Sequence, residues 1–329
     1  MTALREAGIL GTGSYAPERI LSNLDLEKLV ETNDEWIVSR TGMRERRLVA
    51  PDQATSDIAC EAASRAIADS GVKALEIDLI IVATVTPDHQ VPSTACILQA
   101  RLGLVNASAF DINVACTGFV AGLNIARSLI AAGAYNCILV IGAETMSSIV
   151  NYKDRGSCIL FGDAAGAAIV VPFAGQGKIL DIHTGADGTG GMSMVVPAGG
   201  SRKPCTLEAV ANDEHKLIMK GNEVYKFAVA KFRDLVVEQL ARTGYKASDI
   251  DLLIPHQVNL RIIESALSRI EIDPARIYIN LDRFGNTSAG SVPLALDEAR
   301  KAGRFQSGSL VSLVAFGAGL TWASTLIRW

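Results

Sequence analysis

The six cysteines, Cys60, Cys96, Cys116, Cys137, Cys158 and Cys205, contain no CxxC pair, and none of the four histidines stands at metal-ligand spacing from any of them. That lack argues against a zinc site or a dithiol redox centre. The chain also lacks an excess of positive charge. Its formal net charge is −4, which argues against a nucleic-acid partner but not against a local basic patch. No apolar run is long enough to span a bilayer, and the opening residues MTALRE do not have the charged-then-apolar pattern of a signal peptide. A cytoplasmic protein with reduced thiols is the expectation.

What is present is a well-packed composition. Hydrophobic residues make up 49% of the 329 and charged residues 20%, enough for roughly two domains with substantial cores. A repeat organises them. Residues 68–81 (ADSGVKALEIDLII) and 241–254 (ARTGYKASDIDLLI) match at eight of fourteen positions at a spacing of 173. Each copy reads as a helix end, a glycine C-cap, a short loop and a buried strand. Looser echoes pair 111–114 with 278–281 and 137–142 with 310–315. Two halves of similar fold, 1–174 and 175–329, are expected to meet at the turn-rich segment 172–177. Alternating strands and helices predict an α/β fold with a mainly parallel sheet covered by helices.

Ligands of open α/β sheets bind beyond the carboxyl ends of strands, so those ends are where chemistry is sought. Cys116 joins a β-leaning run, 109–115, to a helical run, 117–126. A thiol there lies near unpaired helix N–H groups and the positive end of the helix dipole, which favours the nucleophilic thiolate. The plainer alternative is a small buried residue. In the repeat, His256 falls where the first half has Ala83, just past a duplicated strand. Asn286 sits in a Gly- and Ser-rich turn after the echo at 278–281. His256 can accept a proton, donate one, or donate a hydrogen bond; Asn286 donates at any pH. The set suits acyl transfer through a thioester and suits holding an enolate oxygen between two neutral donors. It also suits hydrolysis by a cysteine hydrolase. Backbone N–H groups of Cys116 and of Ala318, in the glycine-rich turn after strand 310–315, can form an oxyanion hole. The GxGxxA match at 11–16 lacks a following helix and reads as a turn.

Six segments carry a resemblance: 33–42 (NDEWIVSRTG), 113–119 (NVACTGF), 161–167 (FGDAAGA), 256–261 (HQVNLR), 285–291 (GNTSAGS) and 316–322 (FGAGLTW). Through them, over essentially its whole length, the chain resembles the β-ketoacyl-[acyl-carrier-protein] synthase III family of the thiolase superfamily. The resemblance implies a duplicated, five-layered α-β-α-β-α fold and a Cys-His-Asn triad at Cys116, His256 and Asn286. It implies an acyltransferase of fatty-acid biosynthesis with no metal or cofactor, acting as a homodimer. An acyl-CoA acylates Cys116; malonyl-[acyl-carrier-protein] is then decarboxylated and condensed with the acyl group. A related acyl-CoA condensing enzyme of secondary metabolism is the alternative.

By the same resemblance, Trp36, Arg40 and Arg155 hold the CoA nucleotide, and Gly221, Asn222, Val258 and Asn259 line its pantetheine path. Lys226, Arg261 and Arg269, with Lys231 and Arg233, offer a basic patch to the acidic carrier protein. A half-buried tryptophan and solvated surface charges are the plainer alternatives. Val91 stands where several relatives carry a phenylalanine that crosses the dimer interface and closes the acyl pocket, which implies room for starters longer than acetyl.

Overall fold

A computed structural model of the chain describes residues 4–268 and 270–329. Nine strands form the main sheet: β1 Ala7–Tyr15, β2 Leu79–Ala83, β3 Ser108–Ile112, β4 Ile138–Thr145, β5 Asp163–Pro172, β6 Lys178–Ala186, β7 Leu252–Pro255, β8 Leu310–Gly317 and β9 Thr321–Arg328. The helices that matter are α1 Asp34–Thr41, α2 Thr55–Ser70, α3 Thr94–Arg101, α4 Gly118–Ala131, α5 Gly221–Thr243, α6 Leu260–Leu267 and α7 Ser291–Lys301.

Across the sheet the order is β7-β8-β9-β6-β1-β5-β4-β2-β3. The two innermost strands, β6 and β1, share one pairing, Gly8 with Lys178. Outward from that seam the sequence positions mirror each other: β1, β5, β4, β2 on one side and β6, β9, β8, β7 on the other. The expected mainly parallel sheet is therefore mixed. Only β2/β3, β2/β4 and β7/β8 run parallel; the pairs nearer the seam are antiparallel. The echo at 278–281 does not form a strand. Its remnant is a parallel bridge between Leu253 and Ile277, and Leu281–Phe284 is helical. Residues 11–15 form neither a nucleotide loop nor a turn but the second half of β1.

Alternation along the strands builds the layers. Leu79 and Ile81 of β2 and Leu252 and Ile254 of β7 face a central core with Phe119 and Leu123 of α4 and Val292 and Leu296 of α7. Ile80 and Val82 face outward onto Ile58 and Ala62 of α2. Leu253 faces the other way, onto Phe232 and Val236 of α5 and Ile263 of α6. Helices thus lie outside each half-sheet, and α4 and α7 lie between them, giving five layers.

The repeat has a structural reason. Gly71 and Gly244 close α2 and α5 in left-handed conformations, φ 71° and 75°, donating to Ile67 and Leu240 carbonyls. A residue with an ordinary Cβ there, such as alanine, costs about 1–2 kcal/mol. Asp78 then accepts from the Asn136 and Cys137 amides, and Asp251 from the Leu310 amide. The shared aspartate pins the start of the neighbouring parallel strand in both halves.

Candidate active site

The site forms where turns from the two halves meet over the N-termini of α4 and α7. Cys116, 6% exposed, lies in a single 3-10 turn, Ala115–Thr117, that feeds α4. The matching turn, Ser288–Gly290, feeds α7. Ala115 and Ser288, 173 residues apart, both adopt left-handed backbone conformations, φ 45° and 46°. Non-glycine residues occupy that region at a cost of about 1–3 kcal/mol, and such positions concentrate at functional sites. The two turns are also held to their surroundings. Thr117 Oγ1 donates to the Val114 carbonyl and lies 3.0 Å from Thr321 Oγ1, joining the nucleophile turn to the 318–320 hairpin of the other half. Gly317 packs so closely on Cys116 that a Cβ would sit 2.8 Å from the Cys116 Cβ.

His256 follows β7 directly, and its N–H continues the ladder by donating to the Val314 carbonyl at 2.7 Å. Its ring is 1% exposed and edge-on to Phe316. Nδ1 is 2.6 Å from Ser291 Oγ on α7, while Nε2 is buried with no partner among the described residues. Asn286 is fixed by its backbone, its N–H donating to the Leu160 carbonyl at 2.7 Å and its carbonyl accepting from Gly162. Its side-chain Oδ1 accepts from the Ser288 amide at 2.9 Å, which leaves the NH2 group as the free end. Cys116, His256, Asn286 and Ala318 border one narrow gap of about 20 Å³.

The electrostatics differ from the helix-dipole expectation. Burial pushes the Cys116 thiol up to about 12; a Ser288 hydrogen bond opposes this and the Glu144 charge adds to it. Enclosure in apolar surroundings outweighs the helix terminus, so the resting group is the thiol. Burial also drives His256 down to about 3, so its imidazole is neutral.

Two larger spaces flank the gap. An inner, mostly apolar cavity of about 560 Å³ reaches Cys116 and Ala318 and is lined by Val85, Met146, Ile149, Phe161 and Leu217 among others. An outer cavity of about 250 Å³ is bordered by Trp36, Arg40, Gly221, Val258, Asn259 and Arg261. Val224 and Val258 border both this cavity and the gap. Cys116 thus borders an apolar cavity on one side, open beside the exposed Met192, and connects through the gap to the Trp36 cavity on the other.

Other sequence-predicted residues fall in several places. Arg155 stacks on Trp36 with its guanidinium 5.0 Å from the ring centre, and Arg40 is 5.8 Å from it. A base entering between Trp36 and Arg155 has to displace the arginine. Asn222 is exposed at the start of α5. Lys226 and Arg233 border one shallow surface depression, but Arg233 is paired with Asp234 at 2.6 Å. Lys231 lies apart from them, over the Trp322 ring at 4.1 Å. Arg269 lies outside the described residues. Val91 is 86% exposed and borders none of the three cavities of its own chain.

Sequence reasoning missed Glu144, Ser288 and Ser291. Glu144 had a signal: it is the only charged residue in the apolar strand ILVIGAET, and a buried charge demands partners.

The family model for 3-Oxoacyl-[acyl-carrier-protein (ACP)] synthase III matches residues 110–188, and its C-terminal companion matches 240–329. The beta-ketoacyl-[acyl-carrier-protein] synthase III of Caldanaerobacter subterraneus subsp. tengcongensis is 56% identical over 98% of both chains. That of Symbiobacterium thermophilum is 50% identical over 99% of both. The crystal structure of 3-oxoacyl-[acyl-carrier-protein] synthase III from Aquifex aeolicus VF5, 40% identical, superposes with a TM-score of 0.90 over 98% of this chain and 100% of that one. With a thiol, an imidazole and an amide gathered at one gap of a five-layered duplicated fold, the chain belongs to the 3-oxoacyl-[acyl-carrier-protein] synthase III family.

Proposed function

We propose that this chain is a β-ketoacyl-[acyl-carrier-protein] synthase III, an acyltransferase that condenses an acyl-CoA primer with malonyl-[acyl-carrier-protein] and so begins fatty-acid synthesis. The observation that carries this is the position of Cys116: a buried thiol between an apolar cavity and the gap to the Trp36 cavity, with Nε2 of His256, unpaired among the described residues, and the free amide of Asn286 at the same gap.

Acyl-CoA enters by the outer cavity, its nucleotide against Trp36, Arg40 and Arg155 and its pantetheine past Gly221, Asn222, Val258 and Asn259. The Cys116 sulfur bonds to the acyl carbon, the bond to the CoA sulfur breaks, and the thiol proton leaves with CoA. Backbone N–H groups of Cys116 and Ala318 hold the tetrahedral oxygen. The acyl chain occupies the inner cavity. Malonyl-carrier then docks at Lys226, Arg261 and Arg269. Loss of CO₂ leaves its electron pair in an enolate whose oxygen accepts from His256 Nε2–H and Asn286 Nδ2–H. The enolate carbon attacks the acyl carbon, the bond to Cys116 breaks, and the thiol regains a proton.

A neutral histidine suits this role. It donates from Nε2 in the tautomer in which Nδ1 accepts from the Ser291 hydroxyl, 2.6 Å away. Both reactants are substrates, and no metal or cofactor enters. The halves 1–174 and 175–329 are the duplicated units, and the working form is a cytoplasmic homodimer in which Val91 reaches the partner's acyl pocket. The test is to incubate the protein with malonyl-carrier and acetyl-, isobutyryl- or octanoyl-CoA. CO₂ and β-ketoacyl-carrier are expected in equal amounts; free acid without CO₂ overturns the reading in favour of a hydrolase.

A further inference from the structure

We infer that Glu144 is a positioning residue that clamps the Asn286 turn for the decarboxylation step and is not needed for acyl transfer to Cys116. This rests on the roles proposed above for Cys116 and Asn286. Glu144 is fully buried at the end of β4, with no lysine, arginine or histidine within hydrogen-bond reach among the described residues. It is held by four donors. Oε2 accepts from Thr86 Oγ1 at 2.7 Å, the Val85 amide at 3.0 Å and Thr84 Oγ1 at 3.2 Å, all in the loop after β2. Oε1 accepts from Ser288 Oγ at 3.0 Å, in the other half of the molecule.

Ser288 is the link to the chemistry. It occupies the strained left-handed conformation, and its amide is the group that grips Asn286 Oδ1. The chain of contacts therefore runs from the 84–86 loop through the carboxyl of Glu144 to Ser288 and so to the orientation of the Asn286 NH2. A hydroxyl has one proton to give. Ser288 directs it to Glu144 Oε1. Freeing Ser288 from Glu144 loosens Asn286 and leaves in place the contacts that seat Cys116, those of Thr117 and Gly317. The two half-reactions are then expected to respond differently, which a general loss of packing does not produce.

The length of the side chain matters more than the carboxyl itself. In Glu144→Gln the amide spans the same distance: its oxygen accepts from Thr86 and Val85, and its NH2 donates to Ser288 Oγ. In Glu144→Asp the carboxyl remains, but the side chain is shorter by one carbon–carbon bond, about 1.5 Å, and cannot hold both the loop and Ser288.

The test measures two rates in each variant: acyl-enzyme formation from acyl-CoA, and CO₂ release from malonyl-carrier. Glu144→Asp is expected to lose decarboxylation by about 10- to 100-fold, the scale of a catalytic donor displaced by an ångström, with acyl-enzyme formation within about threefold of wild type. Glu144→Gln is expected to keep both rates within about threefold. Glu144→Asp decarboxylating at the wild-type rate overturns the inference, as does an equal loss of both rates, or a Glu144→Gln as impaired as Glu144→Asp. Asn286→Ala in the same assay separates the two readings. If it decarboxylates normally, the role of Asn286 itself is wrong. If it fails while Glu144→Asp does not, only the clamp is wrong.

Discussion

Adding one methyl group at Gly317 tests how tightly the nucleophile is seated. A Cβ built there lies 2.8 Å from the Cys116 Cβ, 3.0 Å from its backbone nitrogen and 3.2 Å from its sulfur, where ordinary contact begins at 3.4 Å. The closest pair must separate by 3.4 − 2.8, about 0.6 Å. Neither side yields easily. Gly317 is paired with Thr321 at the end of the β8/β9 hairpin, and Cys116 is buried in a turn held by Thr117. Overpacking of this size costs about 1–3 kcal/mol of stability, and displacing a nucleophile by a sizeable fraction of an ångström costs up to about 10²-fold in rate. Gly317→Ala is therefore expected to fold with a lowered melting temperature and to form acyl-enzyme roughly 10- to 100-fold more slowly in rapid-quench mass spectrometry. Gly200→Ala, where a Cβ meets nothing within 4 Å, is the matched control. A Gly317→Ala protein that acylates and melts like wild type refutes the packing argument.

Three further outcomes follow from the site. Because burial holds His256 near 3, its ring resonances are expected not to titrate between pH 5 and 8, and a midpoint near 6.5 contradicts a neutral donor. The unfolded chain takes up that proton below about 6.5 and the folded one does not, so this histidine's contribution to stability is intact above 6.5 and is lost as pH falls toward 3. Val85→Phe, which fills part of the inner cavity, is expected to reduce kcat/KM for octanoyl-CoA by about tenfold or more relative to acetyl-CoA; equal effects place the acyl chain elsewhere. Lys226→Glu is expected to raise KM for malonyl-carrier and leave that for acyl-CoA unchanged, whereas Arg261→Glu raises both because Arg261 borders the outer cavity; a rise for acyl-CoA in Lys226→Glu contradicts the docking surface.

Much of the site was legible because duplication is written in the sequence. The 173-residue spacing superposes the two glycine caps and strand starts and puts His256 beside its silent counterpart Ala83, so two of the three reactive groups could be located from strand ends alone. Strand direction was not legible: β5 is as buried and apolar as β2, which pairs in parallel on both sides, yet both of its own pairings are antiparallel, and nothing local records that the chain reverses. The 278–281 echo kept its strand-like residues, but helix Leu281–Phe284 begins at its end. Glu144 and Ser288 touch across 144 residues of sequence, a contact only folding creates. The thiol's protonation was misjudged because the helix terminus is a local feature, whereas the burial that overrides it is assembled from both halves.

The central claim is that the acyl group travels on Cys116. Wild-type protein mixed with isotopically heavy acyl-CoA, quenched and digested, is expected to carry the acyl mass on the peptide containing Cys116 and to lose it when malonyl-carrier is added. Cys116→Ser is expected to carry none and to form no β-ketoacyl product. Acyl mass on any other residue, or product formed at the wild-type rate by Cys116→Ser, contradicts the account.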